Sequence, residues 1–279
     1  MFSALPSISD FPDEKGDEMR KGLLSLLAVA LLTAPVVFAQ QPAEHKLDHF
    51  KFWAVLPVPF SASVSLLGPF DNGQWWNADA SSILYIANPT NKTHGDHKAK
   101  IENSKLHYVA YSLKIANRQP AREVTFQNQF TAQPETWKIG EPTFLLLPAG
   151  KEFLPKPAEK QNGDHFVCYA APSLNTIPAK VTLQDQFDVK RDKEEVLKAL
   201  QPAYFCAPAQ KKHANEPVQP LLDAKTFLAV YKIFPQDMWN WRVNTIDQFG
   251  DRRLDVIGSR LLAVPSTKVE WKPAGGAAK

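Results

Sequence analysis

This chain has little of what most chemistry-bearing motifs require. Its 279 residues include only two cysteines, Cys168 and Cys206, so it has no Cys-x-x-Cys redox pair. There is no Gly-rich phosphate loop, no Gly-x-Ser-x-Gly elbow and no His-Glu-x-x-His. These gaps lower the weight of an enzymatic reading without closing it. No run of Lys and Arg exceeds three residues, which argues against nucleic acid as a partner. Beyond residue 40 no stretch approaches eighteen consecutive apolar residues, so no membrane-spanning helix is expected after that point. No cofactor and no metal is implied.

The one long apolar run lies near the start. Arg20-Lys21 is followed by apolar residues 23–37, and Val37-Phe38-Ala39 places small residues at −3 and −1 before Gln40. This is the layout of a secretory signal peptide cleaved after Ala39. Residues 1–18 are acidic, the wrong sign for such a leader, so Met19 is the better physical start. Residues 1–39 hold three of 32 basic and five of 29 acidic side chains, leaving 29 against 24, a mild +5, on the exported part. The expected location is periplasmic or fully extracellular.

The rest of the chain repeats. Val64-Ser-Leu-Leu-Gly-Pro-Phe70, Val124-Thr-Phe-Gln-Asn-Gln-Phe130, Val181-Thr-Leu-Gln-Asp-Gln-Phe187 and Val243-Asn-Thr-Ile-Asp-Gln-Phe249 share one skeleton. An aromatic (Trp53, Tyr111, Tyr169, Tyr231) precedes each Phe by 17, 19, 18 and 18 residues. Each is followed by a Pro-x-x-Lys end, at Lys92, Lys151, Lys211 and Lys268. A longer period lies above the short one. Asp48-His-Phe recurs as Asp164-His-Phe, and Phe70 to Phe187 and Phe130 to Phe249 span 117 and 119 residues. Self-similarity of this kind decides architecture before local propensity does.

Each repeat offers four short apolar segments, and the second alternates with period 2, as a half-buried strand does. The expected fold is all-β: four homologous antiparallel units of about fifty residues. They would pair into two sandwich- or barrel-like modules, 40–154 and 164–279, with 155–163 as linker. A single four-bladed propeller-like array is the alternative. Residues 190–200 have helical propensity, yet they align without a gap on 135–142, so 196–200 reads as strand, with a helical turn before it as the alternative. Asp or Asn before Gln-Phe reads as a strand exit tied by its short polar side chain.

Cys168 and Cys206 align with Phe52/Ala87, Ala110/Leu146 and Val230/Ala263. Apolar pairs at the same place in three copies imply that first and fourth strands lie side by side there. In an exported chain the third copy then carries a disulfide.

Several other residues invite a chemical reading. His94-Gly-Asp-His97 has two potential ligands where a zinc site needs three or four, so it reads as an inter-repeat loop. Asp48-His49 and Asp164-His165 read as structural turns at unit boundaries. Asn91-Lys-Thr93 is a glycosylation sequon only in a glycosylating pathway. Asp185 and Asp247 could face each other in a cleft as glycosidase carboxylates do, although repetition for fold reasons explains them as well. Trp239 and Trp241 are in phase with Val243, which would put all three on the core face. Trp75-Trp76 cannot both point inward on a strand, making them candidate ligand-binding aromatics.

Asp-His-Phe-x-Cys-Tyr (164–169), Val-Thr-Leu-Gln-Asp-Gln-Phe (181–187) and Phe-Cys-Ala-Pro-Ala-Gln-Lys (205–211) resemble a tandem-repeat domain of unknown function found in secreted proteins of environmental bacteria. The resemblance covers roughly 48–268 and implies export and repetition. It brings no catalytic residue. The expected function is a non-catalytic binding or structural β-repeat protein. Its partner would be an extracytoplasmic ligand, a glycan or a protein. The alternative is a secreted carbohydrate-active hydrolase with a cleft between the modules, lined by Trp75 or Trp76 and Asp185 or Asp247.

Overall fold

Alternating Val/Phe/Tyr segments broken by Pro, Gly and Asx turns give strands and almost nothing else. The structure, a computed structural model, describes residues 47–117 and 119–274; the leader expected over 1–39 lies outside them. The strands are β1 (His49–Val58), β2 (Ala62–Leu67), β3 (Trp76–His94), β4 (His97–Ala99), β5 (His107–Ile115), β6 (Arg122–Gln127) and β7 (Glu135–Ile139). They continue with β8 (Pro142–Phe153), β9 (His165–Ala170), β10 (Ile177–Asp185), β11 (Glu195–Lys212), β12 (Thr226–Phe234), β13 (Met238–Asp247) and β14 (Gly250–Pro273). One turn of helix, α1 (Gln186–Val189), interrupts them. The described residues are all-β apart from that turn, and their strands form one large antiparallel sheet.

Residues 196–200 are strand, as alignment with 135–142 requires, and the helical turn comes before them. Asp185 caps that turn by accepting from the N–H groups of Phe187 and Asp188, while the Asp188 carboxylate accepts from the Asp185 N–H. Reciprocal capping stabilises a helix far too short to persist by propensity.

The pairing closes on itself. β1 pairs with β3, β3 with β5, β5 with β8 and β8 with β9. β9 pairs with β11, β11 with β12, β12 with β14, and β14 returns to β1. All eight contribute to one buried cluster that includes Phe50, Phe52, Tyr108, Phe144, Phe166 and Leu228. An eight-stranded ring leaves an interior that side chains can fill, as they do here. Phe52↔Ala87, Ala110↔Leu146, Cys168↔Cys206 and Val230↔Ala263 are all register partners. The disulfide Cys168–Cys206 is present. The apolar pairs of the first, second and fourth copies and the covalent pair of the third therefore occupy the same structural place.

The opposite faces of the ring strands are buried too, because the second segment of each repeat folds over them. β2 pairs with the start of β3 and with the end of β11; β10 pairs with the start of β11 and with the end of β3. β13 pairs with the start of β14 and with the end of β8, while β6 pairs with β7 and with the end of β14. The first and third repeats thus exchange segments, as do the second and fourth. This exchange gives the longer sequence period its physical meaning.

Two expectations need correction. The boundary at 155–163 separates no modules: the exchanged strands and the ring run through both halves, and the described residues form one compact unit. Nor do Trp239 and Trp241 both join Val243 in the core. A register irregularity between Met238 and Trp241 breaks the phase. Trp239 is 48% exposed, and Trp241 is half-buried against Phe153 and Phe187.

Candidate functional site

A repeated network surrounds the ring, and the candidate site sits where that network is broken. At each intact strand exit the Asx oxygen accepts from the backbone two residues on: Asn128 from Phe130 (2.8 Å), Asp185 from Phe187 (2.9 Å), Asp247 from Phe249 (2.7 Å). The rest of the same side chain meets the buried aromatic of the repeat two along. Trp53 donates to Asp185 (2.7 Å), Tyr111 donates to Asp247 (2.6 Å), and the Asn128 amide donates to the Tyr231 hydroxyl (3.0 Å). A lysine then lies over each following Phe: Lys92 on Phe130 (4.6 Å), Lys151 on Phe187 (4.4 Å) and Lys211 on Phe249 (5.0 Å). Burial pushes Lys92 and Lys151 down to about 8, against 10.5 ordinarily; for Lys151 the carboxylates of Asp185 and Glu152 oppose the shift. Such ammoniums are held by ring faces and few polar partners.

The first repeat departs at both points. Gly68 replaces the Asx residue, and the Tyr169 hydroxyl opposite it is buried without a hydrogen-bond partner. Lys268 lies over Phe227 instead of Phe70, and the Arg122 guanidinium takes the place over Phe70 (5.6 Å) and Tyr169 (5.5 Å). Beside this break opens a cavity of about 550 Å³. Its walls come from the turn after β2, the β5–β6 connection and the end of β14, and they include Asp71, Trp75, Trp76, Gln119, Arg122 and Trp271.

Both tryptophans singled out in the sequence line this cavity, and both are half-buried. The Trp76 indole donates to Asp71 Oδ2 (2.9 Å), and the Gly68 N–H donates to the same oxygen (2.6 Å). Burial raises the Asp71 carboxyl above its ordinary value, although these donors and Arg122 pull the other way. Lys212 Nζ lies 3.9 Å from the Trp75 ring centroid. Arg122 is buried and donates to the Pro120 carbonyl (3.3 Å) and Gln119 Oε1 (3.1 Å). The wall therefore combines aromatic faces with amide, carboxyl and guanidinium groups, which can hold a polar ligand carrying apolar faces.

Asp185 and Asp247 line other cavities, separate from Trp75 and Trp76. Burial raises Asp247, against the pull of Tyr111, Phe249 and nearby cations. Burial would raise Asp185 as well, but Lys51, Asn88 and Trp53 hold it below its ordinary range. The two Asp-His boundaries are clamps on the linkers: Asp48 accepts from the N–H groups of Glu102 and Asn103, and Asp164 from those of Leu222 and Asp223. His94 and His97 face each other across the tight β3–β4 hairpin. Among the described residues no three His, Cys, Asp or Glu are placed to share a metal. Arg122, Gln119 and Trp271 were not read from the sequence. The signal for them was the missing Asx at position 68, which leaves Tyr169 seeking a partner.

Restoring that Asx residue has a direct consequence. A Cβ at position 68 would meet its nearest atom, Asp71 Oδ2, at 3.4 Å, so a side chain fits. Gly68→Asn is expected to pair with the Tyr169 hydroxyl and stabilise the fold by about 1 kcal/mol, as one satisfied buried hydrogen bond does. Thermal denaturation measures this; an unchanged or lowered midpoint would show that the break leaves nothing unsatisfied.

No curated protein and no solved structure matches the chain significantly. A family described as a repeat of unknown function (DUF7450) matches residues 110–265, which spans most of the repeated region, and the chain belongs to this family.

Proposed function

We propose that this is an exported, non-catalytic binding protein that takes a glycan into the cavity lined by Trp75, Trp76 and Trp271. The observation carrying the proposal is the position of that cavity. It lies where a network met three times elsewhere is interrupted, and the interruption brings aromatic faces and hydrogen-bonding groups together. Sugars offer C–H faces that stack on aromatic rings and hydroxyls that pair with carboxyl, amide and guanidinium groups. In this reading four copies of one β unit, paired as first with third and second with fourth, form a rigid frame for a single asymmetric site. The Arg20–Ala39 segment directs export, with cleavage before Gln40. The hydrolase alternative requires two carboxylates in a cavity shared with the tryptophans. The engagement of Asp185 and Asp247 in turn-tying and aromatic contacts favours binding over turnover.

Glycan-array screening of the mature protein, followed by calorimetry on the best oligosaccharide, tests the proposal. Trp76→Ala is expected to weaken binding at least about tenfold, as truncation of a central aromatic anchor does, with the oligosaccharide recovered unchanged. Full affinity in both Trp75→Ala and Trp76→Ala would remove this cavity as the site. Hydrolysis of the oligosaccharide would replace the binding reading with the catalytic one.

A further inference from the structure

A second departure from the repeat pattern lies away from the cavity. In β1 the residue two before the buried aromatic is Lys51, where the other copies have Val109, Val167 and Ala229, all fully or almost fully buried. Lys51 is no less buried, at 0% exposure. Its Nζ lies 2.5 Å from Asp188 Oδ2, 3.0 Å from Glu195 Oε2 and 3.9 Å from Asp185 Oδ1, all on side chains at most 4% exposed. The Trp53 ring centroid is 4.6 Å away. An ammonium placed where three copies keep a methyl-bearing side chain carries a large desolvation cost. A neutral amide at the same place would carry a smaller one.

We propose that Lys51 and Asp188 condense into an intramolecular isopeptide bond, with Glu195 as the proton carrier and Arg191 holding the carboxyl oxygen that takes the developing negative charge. The amine and carboxyl already stand at reaction distance in a water-excluded site, the condition under which positioning replaces most of the barrier. Burial alone would lower the Lys51 pKa, but the surrounding carboxylates outweigh it, so the resting pair is ionic. Burial and Asp185 push Asp188 up to about 6, which eases proton transfer to it from Lys51. The free amine then attacks Cγ of Asp188. Negative charge collects on Oδ1, which accepts from Arg191 Nη2 at 2.8 Å. Glu195 takes a proton from Nζ and delivers it to Oδ2; the Cγ–Oδ2 bond breaks and one water leaves. Ammonium plus carboxylate become amide plus water, with no oxidant or reductant. Glu195 is itself fixed, because its other oxygen accepts from Ser259 Oγ at 2.7 Å. The bond would tie the first repeat to the third, beside strands those repeats already exchange.

Chymotryptic mapping of the reduced native protein by mass spectrometry decides the matter. The expected product is one branched peptide joining Lys51 to Asp188, lighter than its two parts by one water. Two separate, unmodified peptides would overturn the proposal. Loss of ammonia with a link to Asn88, the strand neighbour of Lys51, would overturn the assignment to Asp188. Glu195→Gln, checked for folding by circular dichroism, is expected to yield unlinked peptides. A linked Glu195→Gln protein would remove Glu195 from the proton path.

Discussion

Asp185→Ala is expected to destabilise the fold by about 3–5 kcal/mol in chemical denaturation, the combined cost of leaving several buried donors without their carboxylate acceptor. The side chain accepts from four donors: the Trp53 indole, the Asn88 amide and the N–H groups of Phe187 and Asp188. Alanine leaves all four buried and unpaired and strips the cap from α1, and each loss is costly by itself. Asp185→Asn is expected to cost less, since one oxygen can still tie the turn as Asn128 does in the second repeat. It keeps a cost because the new amide donor would face the Trp53 and Asn88 donors. Equal stability of the alanine variant and the wild type would mean that the network is dispensable to the fold.

Replacing both Cys168 and Cys206 by alanine is expected to cost about 4 kcal/mol on the loop-entropy account, for a bridge closing 38 residues of separation. The bridge lies inside the ring, while Asp185 lies in the layer outside it. The two losses should therefore add within about 0.5 kcal/mol, as separated sites do. Reduction of the wild type should reproduce the double-alanine midpoint apart from a small packing difference. A loss well under 1 kcal/mol would indicate that residual contacts already restrict the unfolded chain when the bridge is absent.

Some of this was legible in the sequence because the signal was local or repeated in kind. The Asx-Gln-Phe exits read correctly as side-chain-tied turns, since Asn128, Asp185 and Asp247 act over two residues of their own backbone. The side-by-side placement of first and fourth strands followed from aligning one cysteine pair with three apolar pairs. Trp75 and Trp76 stood out because adjacent indoles cannot share one face of a strand. Lys51 is not legible in the same way: a single polar residue in an apolar run looks like ordinary alternation until its aligned neighbours, Val109, Val167 and Ala229, show that the position is core.

By itself, then, the sequence determined an all-β chain, its repetition, its disulfide and the turn chemistry, all of which depend on residues at fixed short offsets or on copies compared with one another. The tertiary structure alone decided which copy each second strand docks against. A Val-to-Phe segment has the same pattern whether it pairs with its own repeat or with the one two along, and only the closure of eight strands into one ring brings the first beside the third and the second beside the fourth. It also decided that the break at Gly68 opens a cavity and that Lys51 meets three carboxylates. Those contacts join residues more than a hundred positions apart, where no spacing rule reaches.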